Sequence, residues 1–195
     1  MKDTREYIID EAYRLFLTQS YEAVSISDIS NAVGFTKGAL YHHFKNKEEL
    51  FRAVIDTHFP LTSLSLEDEN ISLKEYTELC IKHIHKLLQQ TITSNVEFTP
   101  VNFLALIADS FRHYEGFAVK KSSIIDNDVE KAKVIISNAI KRGEIRDDID
   151  ISVVATQYLS LSIGLAGDFM RNNSVESSMK SLRDQLTQLY NLLKK

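Results

Sequence analysis

The stretch that decides the fold is SISDISNAVGFTKGALYHHFKNKEELF, residues 25–51. Ser25 is a good N-cap for a short helix, and Gly34 is typical of the left-handed residue that ends one. Thr36 is placed to cap a second short helix over about residues 37–43. The connection between the two helices is only about three residues long. The stretch therefore predicts two short helices that are joined by a tight turn.

The apolar residues of the remaining chain also recur at helical spacing, and strand signals are weak. Next to the quoted stretch, the spacing predicts one helix over about residues 4–18 and another that begins at residue 46 and ends before Pro60. Further helices are predicted over about residues 73–92, 100–114, 123–142, 150–171 and 174–195. The polar and acidic residues 61–72 are predicted to be a linker. We therefore expect an all-α fold of about nine helices, with one domain over residues 1–55 and a second over residues 56–195.

Composition narrows the classes of protein that this chain can belong to. It has 195 residues, 44% of them hydrophobic, and no apolar run approaches the roughly 20 residues that a membrane span needs. Its single cysteine, Cys80, excludes an internal disulfide and fits the reducing cytosol. Because the formal net charge is −4, a surface that binds nucleic acid has to be a local basic patch. We expect a cytoplasmic protein that does not contact a membrane.

The helix after Thr36 carries such a patch. On a helical wheel Leu40 and Phe44 face inward, and the opposite face is small at Gly38 and aromatic or basic further along. A slender helix end with free N–H groups suits entry into the DNA major groove, as in a helix-turn-helix. The alternatives are that the Gly-Ala pair is a tight packing point and that the lysines form a solvated face.

Residues 25–51 closely resemble the DNA-binding signature of the TetR family of transcriptional regulators, and the likeness covers about the first 55 residues. The resemblance implies an N-terminal three-helix helix-turn-helix domain and a C-terminal helical domain for effector binding and dimerisation. It implies a ligand-responsive regulator whose homodimer binds near-palindromic duplex DNA. Because most members of the family are repressors, repression is the expected mode of regulation. Ser20 departs from the pattern, because the family usually has Gly before Tyr21, and we expect the first turn to be either strained or reshaped there, away from the DNA-binding face.

The resemblance also implies which residues meet the operator. Base edges face Lys37, Gly38 and Ala39, and phosphates are bound by Thr36, Tyr41 and Lys47. The complete set of implied DNA contacts is Ser27, Thr36, Lys37, Gly38, Ala39, Tyr41, His42, His43 and Lys47.

The last two helices are candidates for a dimer interface. In the final helix, apolar residues recur at intervals of four and three, which is the heptad period. The helix before it is apolar nearly all round and rich in small residues, so it has to be covered. The predicted dimer residues are Tyr158, Leu161, Leu165, Val175, Met179, Leu182, Leu186, Leu189 and Leu193. The alternative is that both helices pack only into the core of their own chain.

An apolar cavity for the small-molecule effector is predicted near the sixth helix. Its candidate lining residues are His83, Phe103, Leu106, Phe111, Tyr114 and Tyr158, although such aromatics can equally be plain core. No cofactor or metal site is predicted, because His83 and His85 lie two apart on a helix and point to different faces. An enzyme and a helical protein-interaction module are the alternative functions, and neither has a recognisable motif here.

Replacing Tyr41 or Lys47 is expected to weaken binding to all DNA sequences alike, since phosphates carry no sequence information. Replacing Lys37 is expected to change the preferred sequence, since its ammonium is placed to reach a guanine. Selection of binding sites from randomised duplexes measures both effects. An unchanged preference in the Lys37 variant would refute the assignment of that residue.

Overall fold

The structure is a computed structural model that describes residues 3–59, 62–92 and 98–195. Within these ranges the chain forms nine α-helices, which confirms the predicted all-α fold. Their bounds are α1 Thr4–Gln19, α2 Ile26–Val33, α3 Lys37–His43, α4 Lys47–His58, α5 Leu73–Thr91, α6 Pro100–His113, α7 Phe117–Lys141, α8 Ile151–Asn172 and α9 Val175–Leu193. The predicted stop at Pro60 lies outside the described residues.

Local hydrogen bonds fix the ends of the short helices. The Ser25 hydroxyl accepts a bond from the Asp28 N–H, and the Asp28 carboxylate accepts one from the Ser25 N–H, forming a capping box. The Ser25 hydroxyl also donates to the Asp28 carboxylate at 2.6 Å, and this bond, followed by the one from the Ser25 N–H, lowers the pKa of Asp28. Gly34 ends α2 with a φ of 73°, and the Thr36 hydroxyl caps α3 at the N–H of Ala39. The capping predictions for α2 and α3 are therefore confirmed.

The chain divides into two compact units, the first of residues 1–61 and 89–119 and the second of residues 62–88 and 120–195. In the first unit, α1 lies at the centre and packs against α2, α4 and α6. Its core contains large side chains with almost no exposed surface, among them Tyr13, Phe16, Phe51 and Phe117. Because α6 packs against α1 and α4, the first compact unit extends beyond the predicted domain boundary after residue 55. That boundary remains a functional prediction.

In the second unit α8 packs against α9. Leu182, Leu186 and Leu193 of the predicted dimer seam are buried within the protomer, as are Tyr158 and Leu165 of α8. The other four predicted dimer residues are half-buried, namely Leu161, Val175, Met179 and Leu189. For the buried five, the alternative of packing into their own core describes what the structure shows. The dimer contacts of all nine residues remain a prediction.

The turn after α1 carries the strain expected at Ser20, whose φ of 75° and ψ of 159° lie where few residues other than glycine are found. We expect Ser20→Gly to raise the free energy of unfolding by about 1 kcal/mol, because glycine adopts this conformation without a Cβ clash. Urea denaturation at fixed protein concentration measures the change.

The matched control is Ser123→Gly in α7, where the backbone is helical and the side chain exposed. It should lower the free energy of unfolding by about 0.5 kcal/mol, because glycine is a poor helix former. A loss of stability in Ser20→Gly would show that the turn is not strained.

Candidate nucleic-acid interface

The inner side of α3 is anchored in the core of the first unit. Leu40 and Phe44 are 1% and 2% exposed, whereas every residue from Thr36 to Ala39 is exposed. Tyr41 is about half exposed at 52%, and His42 is exposed beside a half-buried His43. The two buried anchors therefore turn the small and basic face of α3 outward, as the helical wheel predicts.

Packing inside the chain does not require a glycine at position 38. A Cβ built at this position would meet only one atom within 4 Å, the Thr36 hydroxyl oxygen at 3.9 Å. The alternative of a tight packing point inside the chain is therefore not supported. What the absence of a side chain provides at Gly38 is a slender outer surface at the start of the helix.

Two exposed groups next to α3 escaped the sequence analysis. The guanidinium of Arg5, at the start of α1, lies 4.9 Å from the centre of the Phe44 ring. In the turn before α3, the Phe35 ring packs edge-on against Tyr7 with 6.3 Å between ring centres, and each is more than a third exposed. Both contacts join residues far apart in sequence, so helical periodicity gives no sign of them.

Lys47 is more engaged than the resemblance implies. Its Nζ donates to the carbonyls of Tyr21 and Val24 at 3.0 and 3.1 Å, and it lies 4.0 Å from the centre of the Tyr21 ring. An ammonium group has three N–H donors, so two are used within the chain. Lys47 thus ties the start of α4 to the turn between α1 and α2, and its phosphate contact remains a prediction. Ser27, also implied to contact DNA, is half-buried near the start of α2.

The six predicted effector residues do not share one compact unit. Phe103, Leu106, Phe111 and Tyr114 belong to the first unit, and His83 and Tyr158 to the second. Leu106 lies in the apolar core, and the Phe103 ring packs 5.2 Å from that of Phe59. For these two residues the plain-core alternative fits the structure, and the effector site remains to be located.

The polar members of that set have partners inside their own units. Tyr114 donates its hydroxyl hydrogen to Asp56, His83 Nε2 lies 3.1 Å from the Thr62 carbonyl, and the Tyr158 hydroxyl lies 2.9 Å from that of Thr77. A cleft of about 340 Å³ in the second unit is formed by other residues, namely Lys74, Thr77, Glu78, Thr187, Tyr190, Asn191 and Lys194.

Metal binding, thiol chemistry and membrane insertion were also considered for the residues that the structure describes. No three His, Cys, Asp or Glu side chains converge there as metal ligands would. Burial raises the pKa of the Cys80 thiol to about 12, so this thiol is protonated and unreactive at neutral pH. None of the helices that the structure describes is long and apolar enough to cross a bilayer.

Known proteins resemble this chain in both sequence and structure. Residues 8–54 match the family described as bacterial regulatory proteins, tetR family. The probable HTH-type transcriptional regulator ArpR of Pseudomonas putida is 24% identical over 182 residues, which cover 87% of this chain and 81% of that protein. The match to the family model runs from within α1 to within α4 and includes all of α3 with its exposed face.

Two solved structures share the fold. NalD, the secondary repressor of the MexAB-OprM multidrug efflux pump in Pseudomonas aeruginosa, has a TM-score of 0.66 at 19% identity, covering 98% of this chain and 96% of its own. A complex of SmeT, from Stenotrophomonas maltophilia, with triclosan has a TM-score of 0.64 at 19% identity, covering 100% and 93%. At such identities these likenesses establish the architecture.

The engagement of Lys47 generates a prediction about stability. We expect Lys47→Met to lower the free energy of unfolding by about 1–2 kcal/mol, because two charge-assisted hydrogen bonds are lost. If Lys47 serves only to hold the chain together, the dependence of DNA affinity on salt stays unchanged, whereas a phosphate contact through the third N–H predicts a smaller dependence. Urea denaturation and binding isotherms at several salt concentrations measure the two quantities.

Lys45→Met is the matched control, since Lys45 is exposed beside α3. Outside the contacts that the resemblance implies, its exposed ammonium next to α3 is also suited to bind a phosphate. The substitution should therefore leave stability unchanged and reduce the slope of log affinity against log salt by about 0.9, as expected when one phosphate contact is removed. If Lys47→Met instead reduces the slope of log affinity against log salt and leaves stability unchanged, Lys47 binds a phosphate and its contacts with the Tyr21 and Val24 carbonyls do not stabilise the fold.

Proposed function

The chain belongs to the TetR family of transcriptional regulators, and we propose that it is a ligand-responsive repressor that binds a near-palindromic operator as a homodimer. The observation that carries the proposal is the outward face of α3, which is slender at Gly38 and bears Lys37, Tyr41 and His42. As a regulator of transcription, the protein is not an enzyme.

On DNA, α3 enters the major groove and its neighbours bind the backbone. Lys37 and His42 are the hydrogen-bonding side chains nearest to base edges, and Ala39 is suited to contact a thymine methyl group. Thr36, Tyr41 and His43 are suited to bind phosphates. With so few side chains able to read bases, much of the specificity comes from DNA shape and from the separation of the half-sites.

The homodimer is supported by an exposed face of α8. Uncharged residues line this face over several turns, and its apolar side chains are more than half exposed. The members of this α8 face are Val153, Thr156, Gln157, Ser160, Ile163, Gly164, Gly167 and Met170. An extended uncharged surface of this kind marks an interaction site. A second copy covers it symmetrically, and the pair presents two recognition helices to half-sites roughly 34–36 Å apart.

A small-molecule effector completes the proposed mechanism. The structure of SmeT holds triclosan and NalD is a repressor of an efflux pump, which supports a comparable use of the C-terminal domain here. An effector that binds better to a conformation with the wrong half-site separation lowers DNA affinity. By linkage, DNA lowers the affinity for the effector by the same factor.

The proposal is tested with duplexes that flank the gene for this protein and contain a short inverted repeat. We expect binding as a dimer, with an affinity that falls steeply as salt is added, because phosphate contacts release counterions. Ile163→Glu should yield monomers, since it places a charge in the centre of the α8 face, and should weaken operator binding by about tenfold or more. Analytical ultracentrifugation and electrophoretic mobility shifts measure these effects.

Thr187→Glu is the control, because it adds the same charge at an exposed position of α9 that lines the cleft of the second unit. It should leave both assembly and binding unchanged. A wild-type protein that is monomeric, or whose affinity for duplexes does not depend on salt, would overturn the proposal.

A further inference from the structure

The cleft of about 340 Å³ in the second unit has one wall on α5 and the other on α9, and none of the six predicted effector residues lines it. The α5 wall consists of Lys74, Thr77 and Glu78, and the α9 wall consists of Thr187, Tyr190, Asn191 and Lys194. Every one of these side chains carries a hydrogen-bonding group, whereas most pockets for small molecules are lined mainly by apolar side chains. This α5–α9 cleft therefore suits a small polar ligand.

Two carboxylates at the α5–α9 cleft are already bound within the chain. Both oxygens of Glu78 accept hydrogen bonds from Arg183, at 3.1 and 2.9 Å. Glu144 accepts hydrogen bonds of 3.1 and 3.2 Å from the first two backbone N–H groups of α5, and the Arg142 guanidinium lies 3.5 Å from its carboxylate. The negative charges of both groups are therefore balanced before a ligand binds.

Two ammonium groups remain to attract an anion. Lys74 on one wall and Lys194 on the other are both exposed. Among the residues that the structure describes, no hydrogen bond or ion pair engages either ammonium group. A single exposed lysine is normally only solvated, but here two of them line one concave site whose side chains carry an excess of positive charge. A concave site with such an excess concentrates anions from solution.

The α9 wall provides groups that recognise hydroxyls. Thr187 and Asn191 are exposed, lie one turn apart and offer a hydroxyl group and a carboxamide. The Tyr190 side chain beside them is half-buried. Burial, and after it the charge of the nearby Glu144 carboxylate, raises the pKa of the Tyr190 hydroxyl, so this side chain stays neutral. Its ring offers a flat apolar surface against which the C–H groups of a sugar can pack.

We propose that the α5–α9 cleft binds a small polyhydroxylated anion, of the sugar-acid or sugar-phosphate class. Lys74 and Lys194 bind its carboxylate or phosphate group. Thr187 and Asn191 bind its hydroxyl groups, and its carbon chain packs on the Tyr190 ring. The inference goes beyond the proposed function, because it involves neither DNA nor the α8 face, and the site lies within the second unit alone.

The ligand class is tested by titrating the isotope-labelled protein with gluconate and with glucose 6-phosphate, and by following its backbone amide signals in NMR spectra. We expect at least one of the two anions to bind with a Kd of about 1 mM or tighter. Glucose and glucosamine should bind about tenfold more weakly or not at all, because they lack the negative charge. Binding of only one anion shows whether the site takes a carboxylate or a phosphate. The amide signals that shift should belong to the residues of the two cleft walls.

Four variants connect the binding to the cleft. Lys74→Met and Lys194→Met should each weaken binding of the anion by about tenfold, because each removes one charge-assisted contact. Thr187→Glu should abolish it, because this change places a carboxylate in the cleft. Lys86→Met is the matched control, since Lys86 is an exposed lysine of α5 that does not line the cleft, and it should leave the affinity unchanged.

Several results would overturn the inference. One is that neither anion binds, and another is that glucose binds as tightly as the anions. If inorganic phosphate binds as tightly as glucose 6-phosphate and gluconate does not bind, the hydroxyl groups are not recognised. Signals that shift mainly in α3, or an equal loss of affinity in Lys86→Met and Lys74→Met, would show general attraction of anions to basic surface. The proposed DNA-binding function is independent of each of these outcomes.

Discussion

The burial of Leu40 and Phe44 is the constraint on which the proposed DNA-binding surface depends. Both side chains are almost fully buried; Leu40 lies within α3, a helix of only seven residues, and Phe44 follows it directly as the C-cap. Once this side of α3 is fixed, the geometry of the helix decides where every other side chain points. Lys37 and Tyr41 are exposed for that reason, and Gly38 leaves space beside them.

The rest of the first unit holds this short helix in place. A helix of seven residues is not stable by itself, so α3 depends on its caps and on the core that α1 organises. The caps are local, whereas the contacts of Lys47 with the Tyr21 and Val24 carbonyls join segments more than twenty residues apart. Contacts from α6 extend the same support to Tyr21. Helix α3 thus depends on polar and aromatic contacts between distant segments of the first unit.

In the second unit, α8 has one apolar face that is buried in the protomer and another that is exposed. In α8, Tyr158 and Leu165 pack into the protomer, while Ile163 and Met170 on the other face are more than half exposed. A helix that is apolar nearly all round suits this double use, because each face needs its own cover. In α9, by contrast, the regular apolar seam is directed into the protomer at Leu182 and Leu186. A heptad period identifies a side of a helix that has to be buried, but it does not say against what.

The sequence by itself determined the all-α class, the caps of α2 and α3, and the outward face of α3, because capping and helical periodicity act within a few residues. The resemblance to the TetR family, which usually has Gly at this position, pointed to the backbone at Ser20. Only the tertiary structure decided that Lys47 is engaged with the turn after α1, that Tyr114 is bonded to α4, and that Leu186 is part of the protomer core. These contacts join segments distant in the chain, and their partners depend on how whole helices pack. A single side chain carries no signal of that packing, so local pattern could not have supplied it.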